Sequence, residues 1–219
     1  QFVNYLVSDG LPDNIVLGIL EDESGCLWIS TNNGLSKFNP QNEIFNSFNE
    51  TDGASVRSFH WLSSHKSKTG KMYFGGDNGL LFFHPDSIQN NPNKPPVVIT
   101  DFRLFNKKVP VGENSLLKKA IAETRKIELS YKENHLSFEF AALNFINTKK
   151  NRYKYKMEGL DKDWIDAGIT RNVTYTALKH GKYIFKVKGS NNDGVWNDEG
   201  ASLQIIIHPP PWKTTWAYL

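Results

Sequence analysis

The sequence lacks the features that mark membrane spans, disulfide-stapled scaffolds and helical bundles. Its 219 residues contain a single cysteine, Cys26, which excludes an intrachain disulfide. No apolar run reaches the roughly 18 residues that a membrane-spanning helix needs, and no long stretch repeats its apolar residues at the helical period. The net charge of +3 is too small to indicate a nucleic-acid partner.

Reactive and metal-binding side chains are too scattered to predict a chemical site. The six histidines form no His-x-x-x-His pair, which argues against a metal site. Asp161, Asp163 and Asp166 lack the closing glutamate of a calcium loop. The glycine-rich stretch 75–79 is not followed by the Lys-Ser/Thr pair of a phosphate-binding loop. The sequence therefore predicts no catalytic residue, no metal and no cofactor.

Aromatic and turn-forming residues, in contrast, are abundant. The chain holds 14 Phe, 8 Tyr and 6 Trp, residues that favour half-buried strand surfaces. Gly, Pro, Asn and Asp recur about every ten residues, as expected for short strands joined by turns. Residues 1–95 carry 6 Lys/Arg against 10 Asp/Glu, whereas residues 96–219 carry 20 against 13. This pattern predicts an all-β protein with two modules.

The first module contains a repeat with an offset of 45 residues, in which segment 24–40 aligns with segment 69–85. The aligned pairs are Gly25 with Gly70, Trp28 with Tyr73, Gly34 with Gly79, and Pro40 with Pro85. An asparagine precedes both Gly34 and Gly79, and this pair favours a tight hairpin. A period of about 40–50 residues with several strands per unit is typical of a β-propeller blade. Chance similarity between two β-meanders is the alternative.

The second module follows a polar, proline-rich break at residues 86–96. Beyond it, apolar and polar residues alternate as in strands. We expect strands near 97–105, 126–131, 135–142, 153–157, 173–176, 182–190 and 201–208. This number and spacing fit an immunoglobulin- or fibronectin-III-like β-sandwich. Only residues 114–124 have the composition of a short helix.

The run 149–156 interleaves basic residues with tyrosines, as a nucleic-acid surface can. Strand alternation explains the run more simply, because it places Tyr153 and Tyr155 on the core side and the lysines in solvent. We therefore expect no nucleic-acid partner for this segment.

The repeat units resemble the two-component regulator propeller repeat. That family opens with Gly-Leu-Pro and continues with Asp-x-x-Gly-x-(Leu/Met)-Trp-Ile-(Gly/Ser)-Thr-x-x-Gly-Leu, which residues 10–12 and 22–35 match closely. Its signature positions here are Trp28, Gly34 and, in the second unit, Gly79. The second unit departs from the pattern at Tyr73, Phe74 and the pair Gly75-Gly76. We expect it to be a terminal, atypical blade.

Residues 97–208 resemble the Y_Y_Y domain, which follows such propellers. The resemblance is carried by residues 153–164, 174–178, 181–185 and 191–196. The signature positions are Tyr153, Tyr155, Gly159, Trp164, Tyr175, Gly181, Tyr183, Gly194 and Trp196. Because a buried tyrosine fills a large volume and hydrogen-bonds through its hydroxyl, we expect these tyrosines in the core, with both tryptophans as the next core candidates.

Together the resemblances imply the periplasmic sensor region of a hybrid two-component histidine kinase, an inner-membrane protein. Residues 1–86 would form about two blades of an incomplete propeller, 87–96 a linker, 97–208 the sandwich and 209–219 a juxtamembrane tail. The resemblance implies a homodimeric parent that senses oligosaccharides and controls polysaccharide-utilisation genes. The ligand would be bound mostly by upstream blades, and this chain would be non-catalytic.

The tail fits that interpretation, because Trp212, Trp216 and Tyr218 suit a membrane interface; a flexible aromatic tail is the alternative. Two other functions stay open. One is a carbohydrate-binding module of a secreted enzyme, which requires exposed aromatic rings on one sandwich face. The other is a structural dimerisation stalk. Since two blades cannot close a propeller, we expect this chain alone to bind little or no sugar.

Overall fold

The computed structural model describes residues 2–213, which form two compact units that divide between Asn90 and Asn91. Both units are built from β-sheets, so the predicted all-β fold is confirmed. Single turns of 3-10 helix lie at Val7–Asp9, Glu50–Asp52, Pro85–Ser87, Ile121–Glu123, Thr148–Lys150 and Pro211–Lys213. The short helix expected within 114–124 is therefore limited to the turn Ile121–Glu123.

The first unit contains two antiparallel meanders that correspond to the two repeats. The first blade consists of β1 (Val16–Glu21), β2 (Leu27–Thr31), β3 (Gly34–Asn39) and β4 (Ile44–Phe48). The second blade consists of β5 (Phe59–Lys66), β6 (Met72–Gly76) and β7 (Gly79–Phe83). In each blade every strand pairs with the next one along the chain.

The core of the first unit is small and aromatic. Its main cluster consists of Trp28, Leu35, Val56, Phe59, Met72 and Phe74, contributed by both blades. A second cluster, Leu11, Ile29 and Phe38, lies on the other face of the first blade. Strand β2 is buried on both faces, because Trp28 belongs to one cluster and Ile29 to the other.

Strand β5 is interrupted by a bulge that is larger than the irregularity at the aligned place in the first blade. Phe59 pairs with Gly76 and Ser64 pairs with Phe74, so residues 60–63 lie opposite Gly75 alone. The bulge places Leu62 at φ +57, in the left-handed region that non-glycine residues rarely adopt. In the first blade, β1 and β2 show only a single-residue shift.

The second unit is a sandwich of two sheets. One sheet has the order β10 (Lys126–Leu129), β16 (Trp196–Ile207), β15 (Gly181–Ser190), β12 (Tyr153–Glu158), β13 (Ile165–Gly168). The other has the order β14 (Asn172–Tyr175), β11 (Leu136–Ala142), β8 (Val97–Leu104), β9 (Lys107–Lys108). All seven expected strands are present, and the short strands β9 and β13 are additional. The pairing is antiparallel except between β10 and β16, which run parallel.

Alternating side chains from both sheets fill one continuous core. Phe138 of β11 stacks on Phe185 of β15 with ring centroids 4.3 Å apart, and both side chains are fully buried. The strands therefore show the period-two pattern of a sandwich, in which one face of each sheet packs in the core and the other face is exposed to solvent.

Candidate functional site

The carboxylate of Asp22 organises the turn between β1 and β2. Its Oδ1 accepts hydrogen bonds from the Ser24 amide at 2.9 Å, the Ser24 hydroxyl at 2.6 Å and the Cys26 amide at 3.0 Å. Its Oδ2 accepts a bond from Nε1 of Trp28 at 3.0 Å. Burial raises the pKa of Asp22, but these hydrogen bonds outweigh burial and hold the pKa below its ordinary value. The Asp and Trp of the repeat motif thus form one bonded unit.

The second blade makes the same turn with a neutral residue. Ser67 stands where the first repeat has Asp22, and its hydroxyl accepts a bond from the Lys71 amide at 3.1 Å. Tyr73 stands where the first repeat has Trp28 and is only half-buried. The carboxylate–indole pair is therefore specific to the first blade, and the exchange of Asp for Ser accompanies the exchange of Trp for Tyr.

The hairpin glycines lie where the repeat predicts them. Gly34 and Gly79 occupy the turns β2–β3 and β6–β7 with φ of +118 and +129. A Cβ at Gly34 would stand 2.8 Å from the Phe48 carbonyl oxygen, so both backbone conformation and space favour glycine there.

Tyr153 and Tyr183 of the second unit are packing residues with hydrogen-bonded hydroxyls. The Tyr153 hydroxyl, in a fully buried side chain, accepts a bond from the Ala142 amide at 3.1 Å. Tyr183 donates to the Lys179 carbonyl at 3.0 Å, in the manner of a sandwich tyrosine corner. Tyr155 is half-buried and contacts the ring of Tyr175 edge-on at 6.3 Å.

A carboxylate ties the fourth tyrosine to the turn after β12. Asp161 Oδ2 accepts bonds from the Tyr175 hydroxyl and the Met157 amide, both at 2.7 Å. Burial and then this bond raise the pKa of Tyr175, which keeps its hydroxyl protonated as a donor. Gly159 allows the turn with φ +94. Gly181 begins β15 and Gly194 lies in the turn before β16.

The two tryptophans expected in the core lie outside it. Trp164 is 37% exposed, and the Lys188 ammonium lies 4.6 Å from its ring centroid. Trp196 is half-buried, with the Lys154 ammonium 5.0 Å from its ring. The expectation was wrong because both indoles pair with lysines on the outer face of the five-stranded sheet, where cation–π contact replaces burial.

An asparagine network fixes the segment by which the chain enters the sandwich. The fully buried Asn191 donates to the carbonyls of Asn91 and Asn93 at 2.7 and 2.9 Å. The Asn91 amide donates to Asp193 at 2.6 Å, and its side chain donates to Asn144 at 3.3 Å. Sequence inspection missed this network, because asparagines are also the ordinary residues of turns.

The segment that leaves the sandwich is held by β10. The His208 amide donates to the Leu129 carbonyl at 2.8 Å, and the His208 ring lies 2.9 Å from a carboxylate oxygen of Glu128. The ring of Trp212 packs edge-on against Tyr131 with centroids 5.3 Å apart. Trp216 and Tyr218, expected at a membrane interface, lie outside the described residues.

Within residues 2–213, no helix is long and apolar enough to cross a membrane, and no three His, Cys, Asp or Glu side chains group as metal ligands. Ordered polar features include the Asp22 turn, the tyrosine contacts and the two bonded ends of the sandwich.

Comparison with known families identifies both units. The family described as "Two component regulator propeller" matches residues 10–33, and the "Y_Y_Y domain" matches residues 144–208. The extracellular domain of the putative hybrid two component system BT3049 from B. thetaiotaomicron has a TM-score of 0.73 and 32% identity to this chain. The chain belongs to the extracellular sensor regions of two-component systems. A propeller repeat followed by a Y_Y_Y domain, as expected from the motifs, is thereby confirmed.

Further relatives agree with this assignment of the sensor region. "Histidine kinase P4" of Formosa agariphila is 39% identical over 213 residues. The extracellular domain of the putative one component system BT4673 from B. thetaiotaomicron, at 22% identity and a TM-score of 0.50, shares the fold. The match to Histidine kinase P4 covers 96% of this chain but 15% of that protein, and the match to BT3049 covers 92% and 27%. The sensor region is a non-catalytic part of such systems.

Proposed function

We propose that this sensor segment is the membrane-proximal, periplasmic part of a hybrid two-component histidine kinase in the inner membrane. In this proposal the Y_Y_Y sandwich passes ligand binding on the propeller to a transmembrane helix and the cytoplasmic kinase. The inducing ligand is an oligosaccharide, bound mostly by upstream blades, the parent is a homodimer, and the output is control of polysaccharide-utilisation genes.

The observation that carries the proposal is that the segment entering the sandwich and the segment leaving it are both held against the sandwich by side-chain contacts. Residues 91–95 are tied to the turn 191–197 by buried asparagine hydrogen bonds, including one from Asn197 to the Pro95 carbonyl at 3.0 Å. His208 is tied to β10, and Trp212 packs against Tyr131, two residues beyond the end of β10. A segment bonded in this way moves with the sandwich, so a displacement at one end reaches the other.

Coupling also requires two conformational states for which the ligand has different affinities. A ligand with equal affinity for both states does not shift the equilibrium between them. The sandwich has one continuous core of buried residues, and packed cores transmit displacement rather than absorb it. We therefore assign the two states to movements of the sandwich as a body.

The proposal is tested in the full-length sensor with a transcriptional reporter. Tyr131→Ala removes the ring against which Trp212 packs, and we expect a lower maximal output while the affinity of the extracellular region for inducer stays unchanged. Tyr131→Phe keeps the edge contact and is the matched control, with output close to wild type. A wild-type maximum for Tyr131→Ala would contradict the role of the outgoing segment.

The carbohydrate-binding module is less well supported for the sandwich. Such a module needs free aromatic ring faces on one side of the sheet. A lysine ammonium instead lies over the ring of Trp164 and another over the ring of Trp196.

A further inference from the structure

The bulge of β5 exposes two large apolar side chains, Trp61 and Leu62. Trp61 is 71% exposed and Leu62 is 81% exposed. Leu62 is also held at φ +57, and a left-handed backbone at a bulky residue costs free energy that folding does not recover through packing here. Strained backbone is concentrated at ligand-binding and active sites, and the exposed indole of Trp61 lies directly beside the strained Leu62.

Polar groups with directed hydrogen-bonding capacity surround the bulge. His60 Nε2 lies 3.3 Å from a carboxylate oxygen of Asp77, and both side chains are more than half exposed. Arg57 Nε donates to the Asn33 side chain at 3.3 Å, and the guanidinium carries further N–H donors on its terminal nitrogens. Asn33 and Asp77 lie in the hairpin turns β2–β3 and β6–β7, Arg57 lies just before β5, and His60 lies in β5.

Two glycines of the second repeat leave space for residues 56–63. A Cβ at Gly76 would stand 2.2 Å from the Ser58 carbonyl oxygen and 2.4 Å from Cγ1 of Val56. A Cβ at Gly75 would stand 3.1 Å from Cβ of Ser63. The first repeat has Ser30 and Thr31 at these two positions. The departure from the repeat motif therefore makes room for the bulge and for the segment that leads into β5.

From these observations we propose that Arg57, His60, Trp61 and Asp77 form a saccharide-binding subsite on the second blade. An indole ring offers a flat apolar surface to the C–H face of a pyranose, and planar guanidinium, imidazole and carboxylate groups exchange hydrogen bonds with its hydroxyls. The surface is exposed rather than enclosed, so it suits one or two rings of a longer chain. The inference rests on the proposed sensor function and adds a contact site within this chain.

Binding is tested on the intact extracellular region of the parent with an array of immobilised neutral, uronate-containing and sulfated oligosaccharides. We expect Trp61→Ala to weaken retention of the recognised glycan by at least about tenfold, as for a buried aromatic anchor at an interface. Trp61→Phe should keep part of the affinity. Trp164→Ala, a half-exposed tryptophan of the sandwich, is the matched control and should bind as wild type does.

Several outcomes would overturn the proposal. One is that wild type retains no glycan, and another is that Trp61→Ala retains it as well as wild type. A third is that Trp61→Ala lowers the melting temperature of the intact region and Trp61→Phe restores it while glycan retention stays unchanged. That result would show that Trp61 packs on another blade of the parent.

A dose–response measurement separates this proposal from the relay. In the full-length reporter, Trp61→Ala should shift the inducer midpoint to higher concentration and keep the maximal output. Tyr131→Ala should lower the maximum at an unchanged midpoint. If only the Tyr131 effect appears, the subsite is wrong and the relay stands; if only the Trp61 effect appears, the relay is wrong and the subsite stands.

Discussion

The two blades share one hairpin framework but stabilise it by different means. In the first blade a buried carboxylate, Asp22, bonds the turn and the fully buried indole of Trp28. In the second blade a serine hydroxyl bonds the same turn, and a half-buried tyrosine replaces the tryptophan. The first blade also has four strands, whereas the described residues give the second blade three.

This difference indicates how a repeat acquires a separate role. Hydrogen bonds to a buried charged group are stronger than neutral ones, so the first blade depends on its motif. The second blade depends on it less, and two of its motif positions have become Gly75 and Gly76, which accommodate the exposed bulge of β5. The first blade keeps the charged turn of the motif, whereas the second blade carries the exposed bulge.

The largest expected difference between the blades concerns the aligned aromatic residues. Trp28→Ala empties a fully buried site and should lower the free energy of unfolding of the first unit by about 4 kcal/mol. Tyr73→Ala, at the half-buried equivalent position, should cost about 1–2 kcal/mol. Hydrogen exchange measures the two variants, in peptides from β1–β4 for Trp28→Ala and in peptides from β5–β7 for Tyr73→Ala, with peptides from β15 and β16 as an internal control. Equal losses of protection in the two variants would show that the two blades depend equally on their aligned aromatic residues.

The next largest change in stability is expected when residues that differ between the two repeats are exchanged. Gly76→Thr places the first blade's residue against the Ser58 carbonyl and should destabilise the second blade by about 3 kcal/mol. The reverse change, Thr31→Gly, loses the bond from Thr31 Oγ1 to the Gly34 carbonyl at 2.8 Å and should cost about 1–2 kcal/mol. Exchange in peptides from β5 and β6 reports the first change. A Gly76→Thr variant with wild-type protection would show that the bulge does not need the glycine.

The sequence predicted those features that follow from local pattern. Aligned glycines located the hairpins, and period-two alternation located the strands of the sandwich, because both signals lie in neighbouring residues. Trp164 and Trp196 could not be placed in the same way, since their partners Lys188 and Lys154 come from other strands. The strand β13 is too short to show a period.

The proposed sites were still less visible in the sequence. The asparagine network joins residues about a hundred positions apart, and no local pattern connects them. The bulge of β5 had one signal, the replacement of the Gly/Ser-Thr pair by Gly75-Gly76. Sequence alone could report that departure, but the crowding at Ser58 that explains it comes from tertiary structure.

The smallest effect concerns the turn residues and depends on pH. Asp22→Asn should cost about 2 kcal/mol near pH 6, because the donors that face the carboxylate then meet an uncharged amide. Ser67→Ala, the equivalent change in the second blade, should cost about 1 kcal/mol at any pH.

The two turns should differ in how the free energy of unfolding changes with pH. The pKa of Asp22 lies below its ordinary value in the folded chain, so its stabilisation is complete above about pH 4 and is lost as the pH falls through the lower folded value. The free energy of unfolding of the first unit should therefore fall between pH 6 and pH 3 by more in wild type than in Asp22→Asn, while Ser67→Ala keeps the wild-type slope. Denaturant titrations at the two pH values measure it. An unchanged slope in Asp22→Asn would mean that the charge on Asp22 does not set the stability of the first blade, and the contrast between the blades would then rest on the packing of Trp28 alone.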